Sequence, residues 1–466
     1  MLTFETITPQ NAKELQPYYE HCTYRLCEYS VGVKVMWRGY LRPEYTIAAG
    51  CLIVRSRTHG HWEFDYPVPG PEGDVDEALR QIETWCTQNG CRLILTPVPE
   101  MTAERLVRRY PQICMRNDRA WKDYLYNRED LANFAGRRYS GQRNHINKFR
   151  KNYPDAQYVA LTADNRDLVE DFWQRYSEEF QKEDNESARH ELTYAKELFT
   201  MLDTGWFRAG GLLVDGHLVA LCLGELCGET MSVHIEKALY SHAGAYPAMV
   251  QAFAQNCGED VRWMNREDDA RDKGLRTSKL QYLPCELAGK MQLTVGCELD
   301  HVDTIPALTT ERLTLDELTE ADNEVYQNLC LDDERNRWWG YDYRKDLKGE
   351  LTEHYFLDVT REDFAARRAI NFAVRREGQC IGEVVLYDFD WRGGAELGCR
   401  IIPECAGYGY GTEAFAAVAE WALYRLGLTR VVAKCYKENE ASYKMLSSCM
   451  RKTGEDDTFY HFEKMV

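Results

Sequence analysis

Hydrophobic residues alternate with polar ones, or run together in short stretches, on both sides of a glycine in three segments of the chain. The glycines are Gly60, Gly216 and Gly378, which recur at intervals of about one domain length. This pattern is typical of two strands joined by a tight turn. It predicts three β-hairpins, at residues 46–68, 207–226 and 370–389.

The same order of elements follows each hairpin. An apolar stripe predicts a helix, a short apolar run predicts a strand, and a second stripe predicts another helix. The first helices are predicted at 76–87, 246–256 and 412–426, the strands at 92–97, 261–265 and 430–436, and the second helices at 102–110, 275–282 and 441–449. Strands that alternate with helices predict an α+β class with α/β layering, in three units that are each a mixed sheet covered by helices.

The repeat divides the chain into three predicted domains, at residues 1–130, 131–300 and 304–466. The third domain opens near Thr304, after a stretch with little periodicity at 287–300. No run of Gly, Ser or Pro separates the first two domains, which leaves open whether they pack as one body.

Composition excludes several classes of protein. With 466 residues, 44% of them hydrophobic and 28% charged, the chain has the make-up of a globular protein of several domains. The net charge of -18 argues against general binding of nucleic acid or anionic membranes. No apolar run approaches the roughly 20 residues that span a bilayer, and the first residues lack a secretion signal, so a cytoplasmic location is expected.

Because the first residues lack a secretion signal, the 17 cysteines are interpreted as reduced thiols, and none of them forms a C-x-x-C pair. Three pairs share one spacing but lack the second pair that a zinc site needs: Cys22/Cys27, Cys86/Cys91 and Cys222/Cys227. The cysteines are therefore predicted to be buried core thiols, and no metal site is expected.

A glycine-rich loop between a strand and a helix is the strongest chemical signal in the chain. Gly407, Gly409 and Gly411 alternate with other residues, and Thr412 is positioned to cap the helix that follows. Alternate glycines let backbone N–H groups approach a pyrophosphate, and a helix N-terminus adds partial positive charge. The alternative is a glycine-rich turn that binds nothing.

This loop, together with the strand VVAKCYKEN and the helix ASYKMLSSC that follow it, resembles the GNAT superfamily of acyl-CoA-dependent N-acetyltransferases. The opening LTTERLTL is similar to the start of the subgroup that includes ribosomal-protein N-acetyltransferases, and the resemblance covers residues 304–466. It implies acetyl-CoA as the cofactor. The cofactor-binding residues that it implies are Cys399, Arg400, Ile401, Gly407, Tyr408, Gly409, Tyr410, Gly411, Thr412, Asn439 and Ser442. The family usually has Arg or Gln at the first position of the loop motif, where this chain has Ala406.

The resemblance also implies direct transfer of the acetyl group to an amine, which needs a general base and a proton for the leaving thiolate. Glu396 matches the base, with a solvated strand-end glutamate as the alternative. The tyrosine that usually supplies the proton is missing, because its position falls on Leu446. Ser442 is the expected substitute and Tyr443 the next, unless either is only a packing or capping residue.

An aromatic cluster lies where GNAT enzymes place the wall of the acceptor site. Trp338, Trp339 and Tyr341 are predicted to line a pocket for a small-molecule or peptide amine. A hydrophobic lid without specific contacts is the alternative.

Residues 1–293 resemble an uncharacterised bacterial family related to the C-terminal catalytic region of phosphatidylglycerol lysyltransferase, which has a tandem GNAT-like fold. The motifs that carry this resemblance are RNHINKF at 143–149, HIEKA at 234–238, NRED at 265–268 and GLRxxKLxYxP at 274–284. The resemblance implies fold more firmly than activity. The first unit has no glycine cradle after its hairpin and is expected to be a degenerate, non-catalytic copy.

The second unit is dense in charge. His234, Glu236, Lys237, Arg266 and Arg143 form a candidate second site for a charged aminoacyl or phosphate group, with a buried ion-pair network as the alternative. Residues 137–151 carry six basic side chains and no acidic one. They are either a contact for the acceptor stem of a tRNA or for an acidic headgroup, or simply a solvated helix face.

Three functions therefore follow from the sequence. The first is an acetyl-CoA-dependent N-acetyltransferase that works through the C-terminal domain. The second is a lysyltransferase-like aminoacyl transferase that uses aminoacyl-tRNA through residues 131–300. The third is a sensor that binds acyl-CoA or an amino acid without turnover, since the side chain at 406 and the tyrosine at 446 are missing.

Overall fold

The structure, a computed structural model, describes residues 2–58, 60–179, 186–339, 347 and 351–466. The chain forms two compact units. One consists of Met1–Ile82, Ile94–Glu104 and Met115–Leu293, and the other of Glu83–Leu93, Arg105–Cys114 and Thr294–Val466.

The helices of the described residues, numbered along the chain, are α1 (Gln16–Tyr19), α2 (Val31–Met36), α3 (Arg38–Leu41), α4 (Val75–Gln88), α5 (Ala103–Arg109), α6 (Arg128–Asn133), α7 (Ser140–Asn152), α8 (Arg166–Glu179), α9 (Glu186–Phe199), α10 (Ala245–Asn256), α11 (Lys273–Gln281), α12 (Asn323–Leu331), α13 (Asp333–Trp339), α14 (Tyr355–Ala365), α15 (Tyr410–Trp421) and α16 (Glu440–Cys449). None of these helices is both long and apolar enough to cross a membrane.

The strands form three sheets. The first consists of β1 (Glu5–Thr6), β2 (Glu44–Ala48), β3 (Cys51–Thr58), β4 (His61–Phe64), β5 (Val68–Pro69), β6 (Ile94–Pro99), β7 (Ile113–Asn117) and β15 (Lys290–Val295). The second consists of β8 (Asp123–Asn127), β9 (Gln157–Leu161), β10 (Phe207–Val214), β11 (His217–Cys227), β12 (Thr230–Ala238), β13 (Trp263–Asn265) and β14 (Glu286–Ala288). The third consists of β16 (Leu308–Thr309), β17 (Thr314–Glu317), β18 (Ile370–Arg376), β19 (Gln379–Tyr387), β20 (Gly394–Ile401), β21 (Arg430–Tyr436), β22 (Arg451–Glu455) and β23 (Phe459–Met465).

Each predicted hairpin is present, and backbone geometry explains two of the turns. Asp215 and Gly216 both have positive φ, 53° and 82°, and so do Glu377 and Gly378, 52° and 80°. Two consecutive residues with positive φ form the tight turn whose twist matches that of antiparallel strands. The hairpins β10–β11 and β18–β19 therefore have a fixed register.

The second and third sheets share a topology that is mostly antiparallel but contains one parallel pair. The order is β14-β8-β13-β12-β11-β10-β9 in the second sheet and β16-β17-β18-β19-β20-β21-β23-β22 in the third. The parallel pairs are β12–β13 and β20–β21, and the chain crosses over between their strands through α10 and α15 respectively. Mixed sheets covered by helices confirm the predicted fold class.

Helix α15 packs its apolar stripe on the third sheet. Phe415 and Val418 are buried in one core with Leu397 of β20 and Val431 of β21. The helix was predicted from residue 412 but begins at Tyr410, because Gly409 has a φ of +80° and ends the loop there. Gly409 is therefore the residue that caps the helix, and Thr412 lies in its first turn.

The strand β15 returns to the first sheet after the second sheet is complete, since it comes from residues 290–295. The predicted domain limits of 1–130, 131–300 and 304–466 stay predictions. All 17 cysteines are free thiols.

Candidate functional site

The two central strands of the third sheet separate after a short parallel ladder. β20 pairs with β21 only over Gly394–Arg430, Ala395–Val431 and Glu396–Val432. β20 then continues to Ile401 on the edge of β19, and β21 continues to Tyr436 on the edge of β23. Between them lies a wedge, bounded by residues 397–401 and 433–436. Alternate backbone groups of each strand face this wedge, because the others pair with β19 and β23, and they suit an extended polar chain.

The glycine loop lies at the end of β20, at the mouth of this wedge. Gly407 and Gly409 have φ of +82° and +80°, a conformation that residues with a Cβ rarely adopt. A Cβ added to Gly407 would have no heavy atom within 4 Å, so the loop is open there. Helix α15 directs its N-terminal amides and partial positive charge toward the same loop. This arrangement suits an anionic diphosphate.

Glu396 lies on the face of β20 opposite to α15, because Ala395 and Leu397 on either side point into the core. Its carboxylate accepts a hydrogen bond from Tyr387 Oη at 2.7 Å and contacts Lys434 Nζ at 3.1 Å. The next residue along β19 from Tyr387 is Asp388, whose pKa is raised by burial and then by the charge of Glu396. Glu396 is therefore held by two donors beside the end of the parallel ladder.

The two predicted tryptophans flank the wedge. A Cβ placed on Gly398 of β20 would lie 2.7 Å from the Trp339 ring, so this ring covers the glycine. The Trp338 ring centroid is 6.1 Å from that of Tyr436 on β21. Each tryptophan thus packs on one of the two separating strands. Tyr341 lies outside the described residues.

The side chain of Arg400 makes contacts within the core of the domain. Its Nε is 2.5 Å from Glu383 Oε1, and Glu383 also accepts hydrogen bonds from Tyr326 and Asn371. Its guanidinium lies 4.7 Å from the Trp339 ring centroid and thereby supports that ring. The side chain of Arg400 is therefore engaged within the core, away from its predicted role as a cofactor contact. Burial raises the pKa of Cys399 to about 12, so this thiol is neutral.

The second half of the predicted cofactor site starts helix α16. Asn439 caps the helix, because its Oδ1 accepts a hydrogen bond from Ser442 N at 3.0 Å. Ser442 lies half-buried in the first turn. Tyr443 packs on β23, with ring centroids 4.9 Å from Tyr460 and 5.9 Å from Phe462. Leu446, at the position where the family usually has a tyrosine, is 2% exposed and packs in the core.

The sequence patterns do not single out Tyr387, Lys434 or Tyr436 as site residues. Their relation to Glu396 and Trp338 depends on pairing across strands, which no local motif records. The one indication in the sequence was the alternation of side chains along each strand, which places Lys434 and Tyr436 on the same face of β21.

In the second sheet, the predicted second-site residues separate into different contacts. Arg266 Nη2 lies 2.5 Å from Glu236 Oε2, and Tyr246 Oη donates to the same oxygen at 2.7 Å. His234 lies between Glu267, 3.1 Å from Nδ1, and Glu225, 3.4 Å from Nε2. Both groups are buried, and the alternative of an ion-pair network fits these contacts.

Arg143 contacts backbone oxygens, and Lys237 lies on the face of β12 opposite to Glu236. Arg143 donates to the carbonyl oxygens of Phe134 and Gly136, and Lys237 alternates with Glu236 along β12. Two further basic residues of 137–151 are also engaged, Arg138 with Asp130 and Arg150 with Gln251. The predicted tRNA contact stays a prediction.

The loop before α10 corresponds in position to the glycine loop before α15. Gly244 caps α10 with a φ of +90°, as Gly409 caps α15. Here the donors are already used: Tyr240 N and Ser241 N are 2.7 and 3.3 Å from Glu179 Oε2, and Ser241 Oγ is 2.5 Å from Oε1. A carboxylate of the chain itself therefore occupies the anion-binding groups of this loop.

The described residues bring together three side chains of the types that bind metal ions, and a buried lysine lies among them. Cys27, Glu28 and Asp123 have ligand atoms within 4.8 Å of one another. Lys290 Nζ lies 3.8 Å from Cys27 Sγ, 2.5 Å from Glu28 and 2.8 Å from Asp123. An ammonium group thus supplies the positive charge among these donors.

Comparison with known proteins matches two families to separate parts of the chain. The sequence model of the family described as "Phosphatidylglycerol lysyltransferase, C-terminal" matches residues 21–290, and that of the "Acetyltransferase (GNAT) domain" matches residues 312–449. A solved structure of a conserved protein of unknown function from Bacteroides thetaiotaomicron is 28% identical, with a TM-score of 0.57. The match covers 63% of this chain and 99% of that one.

Two relatives from Bacillus subtilis (strain 168) match a smaller part of the chain. The uncharacterized N-acetyltransferase YoaA is 26% identical over 144 residues, which are 30% of this chain and 80% of YoaA. The uncharacterized N-acetyltransferase YnaD is 29% identical over 100 residues, which are 21% of this chain and 58% of YnaD.

The His234 ion pairs predict a pH-dependent stability. Burial would lower the pKa of His234, but its contacts with Glu225 and Glu267 outweigh burial and raise it to about 9. The stabilisation is therefore complete below pH ~6.5 and is lost as the pH rises through about 9. The stability advantage of the wild type over His234→Gln, measured by urea denaturation, should shrink by about 3 kcal/mol across this window.

An advantage over His234→Gln that stays constant from pH 6 to 9.5 would contradict a charged histidine in this network.

Proposed function

The chain belongs to the phosphatidylglycerol lysyltransferase C-terminal family and carries a GNAT acetyltransferase domain that makes it an acyltransferase, and we propose that this domain transfers acetyl from acetyl-CoA to an amine. The observation that carries the proposal is the wedge between β20 and β21, which opens directly onto the glycine loop. The acceptor is a small molecule or a peptide with a free amino group.

The residues at the wedge fit the cofactor. An extended pantetheine arm carries amide groups that match the free strand edge at residues 397–401. The open loop at Gly407 and the N-terminus of α15 suit the diphosphate. When bound, acetyl-CoA supplies an activated acetyl group as a thioester.

Glu396 is the proposed base. Its carboxylate faces the side of the sheet on which Trp338 and Trp339 lie, and it takes a proton from the acceptor amine directly or through one water. The hydrogen bond from Tyr387 and the contact with Lys434 fix its orientation. A fixed carboxylate reaches the amine without the entropy cost of ordering a mobile side chain.

Ser442 is the proposed proton donor to the leaving thiolate, and Tyr443 is the weaker candidate because its ring packs on β23. Backbone amides at Cys399 and Ile401 are proposed to bind the thioester oxygen, since they face the wedge. The Arg400 amide points to the other edge of β20, because N–H groups alternate along a strand and Ile402 N donates to Ile381 O of β19. Trp338 and Trp339 form the apolar wall that excludes water from the amine.

Aminoacyl transfer through residues 131–300 is the second candidate, favoured by membership of the lysyltransferase family. Among the charged residues predicted for that reaction, Arg266 is paired with Glu236 and His234 with Glu267, and Glu179 fills the loop before α10. The acetyltransferase proposal is therefore the better supported of the two.

A charge in the glycine loop should abolish cofactor binding. Gly407→Asp places a carboxylate in the open space at the loop, where it repels the diphosphate, and should weaken acetyl-CoA binding at least about 100-fold, a loss of about 2.7 kcal/mol in calorimetric titration. Gly427→Asp is the matched control, because Gly427 has a φ of +94° and nothing within 4 Å of an added Cβ. Unaltered binding in Gly407→Asp, with the fold intact, would refute the proposal.

Loss of the base should affect the chemical step. Glu396→Gln keeps the size of the side chain but cannot take a proton, so kcat should fall by about 10²–10⁴-fold while acetyl-CoA binding is unchanged. The measurement is release of free CoA thiol with a panel of amines. Glu420→Gln, at a distant ion pair with Lys464, is the control. A kcat for Glu396→Gln equal to that of the wild type would remove Glu396 from the mechanism.

A further inference from the structure

The glycine loop lacks the long polar side chain that the GNAT motif usually carries at its first position, where this chain has Ala406. A methyl group offers no hydrogen bond to the loop or to a phosphate. Some other group must hold the loop open if it binds a diphosphate, because two of its residues are glycines with large conformational freedom. The group required is a hydrogen-bond donor that contacts the loop from another element.

Arg312, just before β17, is that donor. Its Nη1 lies 3.1 Å from the carbonyl oxygen of Tyr408, in the middle of the loop. A Cβ on Gly409 would lie 3.5 Å from Nη2, so the guanidinium is against the outer side of the loop. Its guanidinium carbon also lies 4.7 Å from the ring centroid of Tyr410.

Glu413 holds the guanidinium in this position. Arg312 Nε is 2.7 Å from Glu413 Oε2, and Arg312 N is 2.9 Å from Oε1. Thr310 Oγ1 donates to the same carboxylate at 2.6 Å. Glu413 lies in the first turn of α15, so the arginine is tied both to the loop and to the helix that the loop begins.

The contact with Tyr408 determines where the next amide points. A trans peptide is planar, and its C=O and N–H lie on opposite sides of the chain. Because Arg312 attracts the carbonyl of Tyr408 to the outer side, the N–H of Gly409 is turned to the inner side of the loop. An inward amide next to a helix N-terminus is the group that a phosphate oxygen accepts from.

We propose that Arg312 is a positioning residue that holds the glycine loop in the form that binds the diphosphate of acetyl-CoA, in place of the side chain missing at Ala406. This inference rests on the proposed acetyltransferase function. It assigns Arg312 to diphosphate binding alone, and Arg312 has no part in proton transfer.

The test compares two acetyl donors. Acetyl-CoA carries the diphosphate, whereas S-acetylpantetheine carries the same thioester and pantetheine arm without it. For Arg312→Gln, the KM for acetyl-CoA should rise about tenfold, as expected for one lost charge-assisted contact, with kcat nearly unchanged. The KM for S-acetylpantetheine should stay at the wild-type value. Arg312→Lys keeps the charge but loses the planar pair of donors, so its KM for acetyl-CoA should lie between those of the wild type and Arg312→Gln.

Two further variants complete the test. Glu413→Gln keeps Arg312 but weakens the contact that orients its guanidinium. The KM for acetyl-CoA should therefore rise, but by less than in Arg312→Gln. Arg451→Gln, at an exposed pair with Glu463, is the control and should change neither KM. An unchanged KM for acetyl-CoA in Arg312→Gln, or an equal loss with both donors, would overturn the proposal. A wild type that neither binds acetyl-CoA nor releases CoA would overturn the acetyltransferase function itself.

Discussion

The candidate site depends on a parallel ladder that stops after three residue pairs. If β20 and β21 paired along their full length, the backbone groups of residues 397–401 would be used inside the sheet. Because the strands separate after Glu396, these groups face a wedge that ends at the glycine loop. The other components of the site are positioned by the same separation. Glu396 lies at its apex, and the rings of Trp338 and Trp339 pack on its two strands.

The second sheet contains a similar break, meaning a place where two parallel strands stop pairing, but its surroundings are different. The parallel pair β12–β13 also ends after three residue pairs, at Ser232 and Asn265. Beyond that point, His234 and Glu236 of β12 are paired with Glu267 and Arg266, which follow β13 directly. The loop before α10 is bonded to Glu179. The second and third sheets thus contain breaks of one kind. One is open beside a glycine loop, and the other is filled by its own charged side chains.

The sequence predicted the elements better than the contacts between them. The hairpin turns at Gly216 and Gly378 and the loop at Gly407–Gly411 are local features, since a glycine with positive φ determines the chain direction within a few residues. The contact of Arg312 with Tyr408 and the Trp339 ring over Gly398 join residues far apart in the chain. Periodicity carries no information on such pairs, because it records which face a residue occupies and not what lies against that face. The return of β15 to the first sheet was missed for the same reason.

The central claim is that one of the two breaks binds acetyl-CoA and the other does not. Calorimetric titration of the full chain with acetyl-CoA tests this directly, because the stoichiometry counts the sites. The account predicts one molecule of acetyl-CoA per chain. Two molecules per chain would mean that the charged residues beside β12 and the carboxylate of Glu179 do not close the second break. No binding would mean that the glycine loop before α15 is only a turn between a strand and a helix.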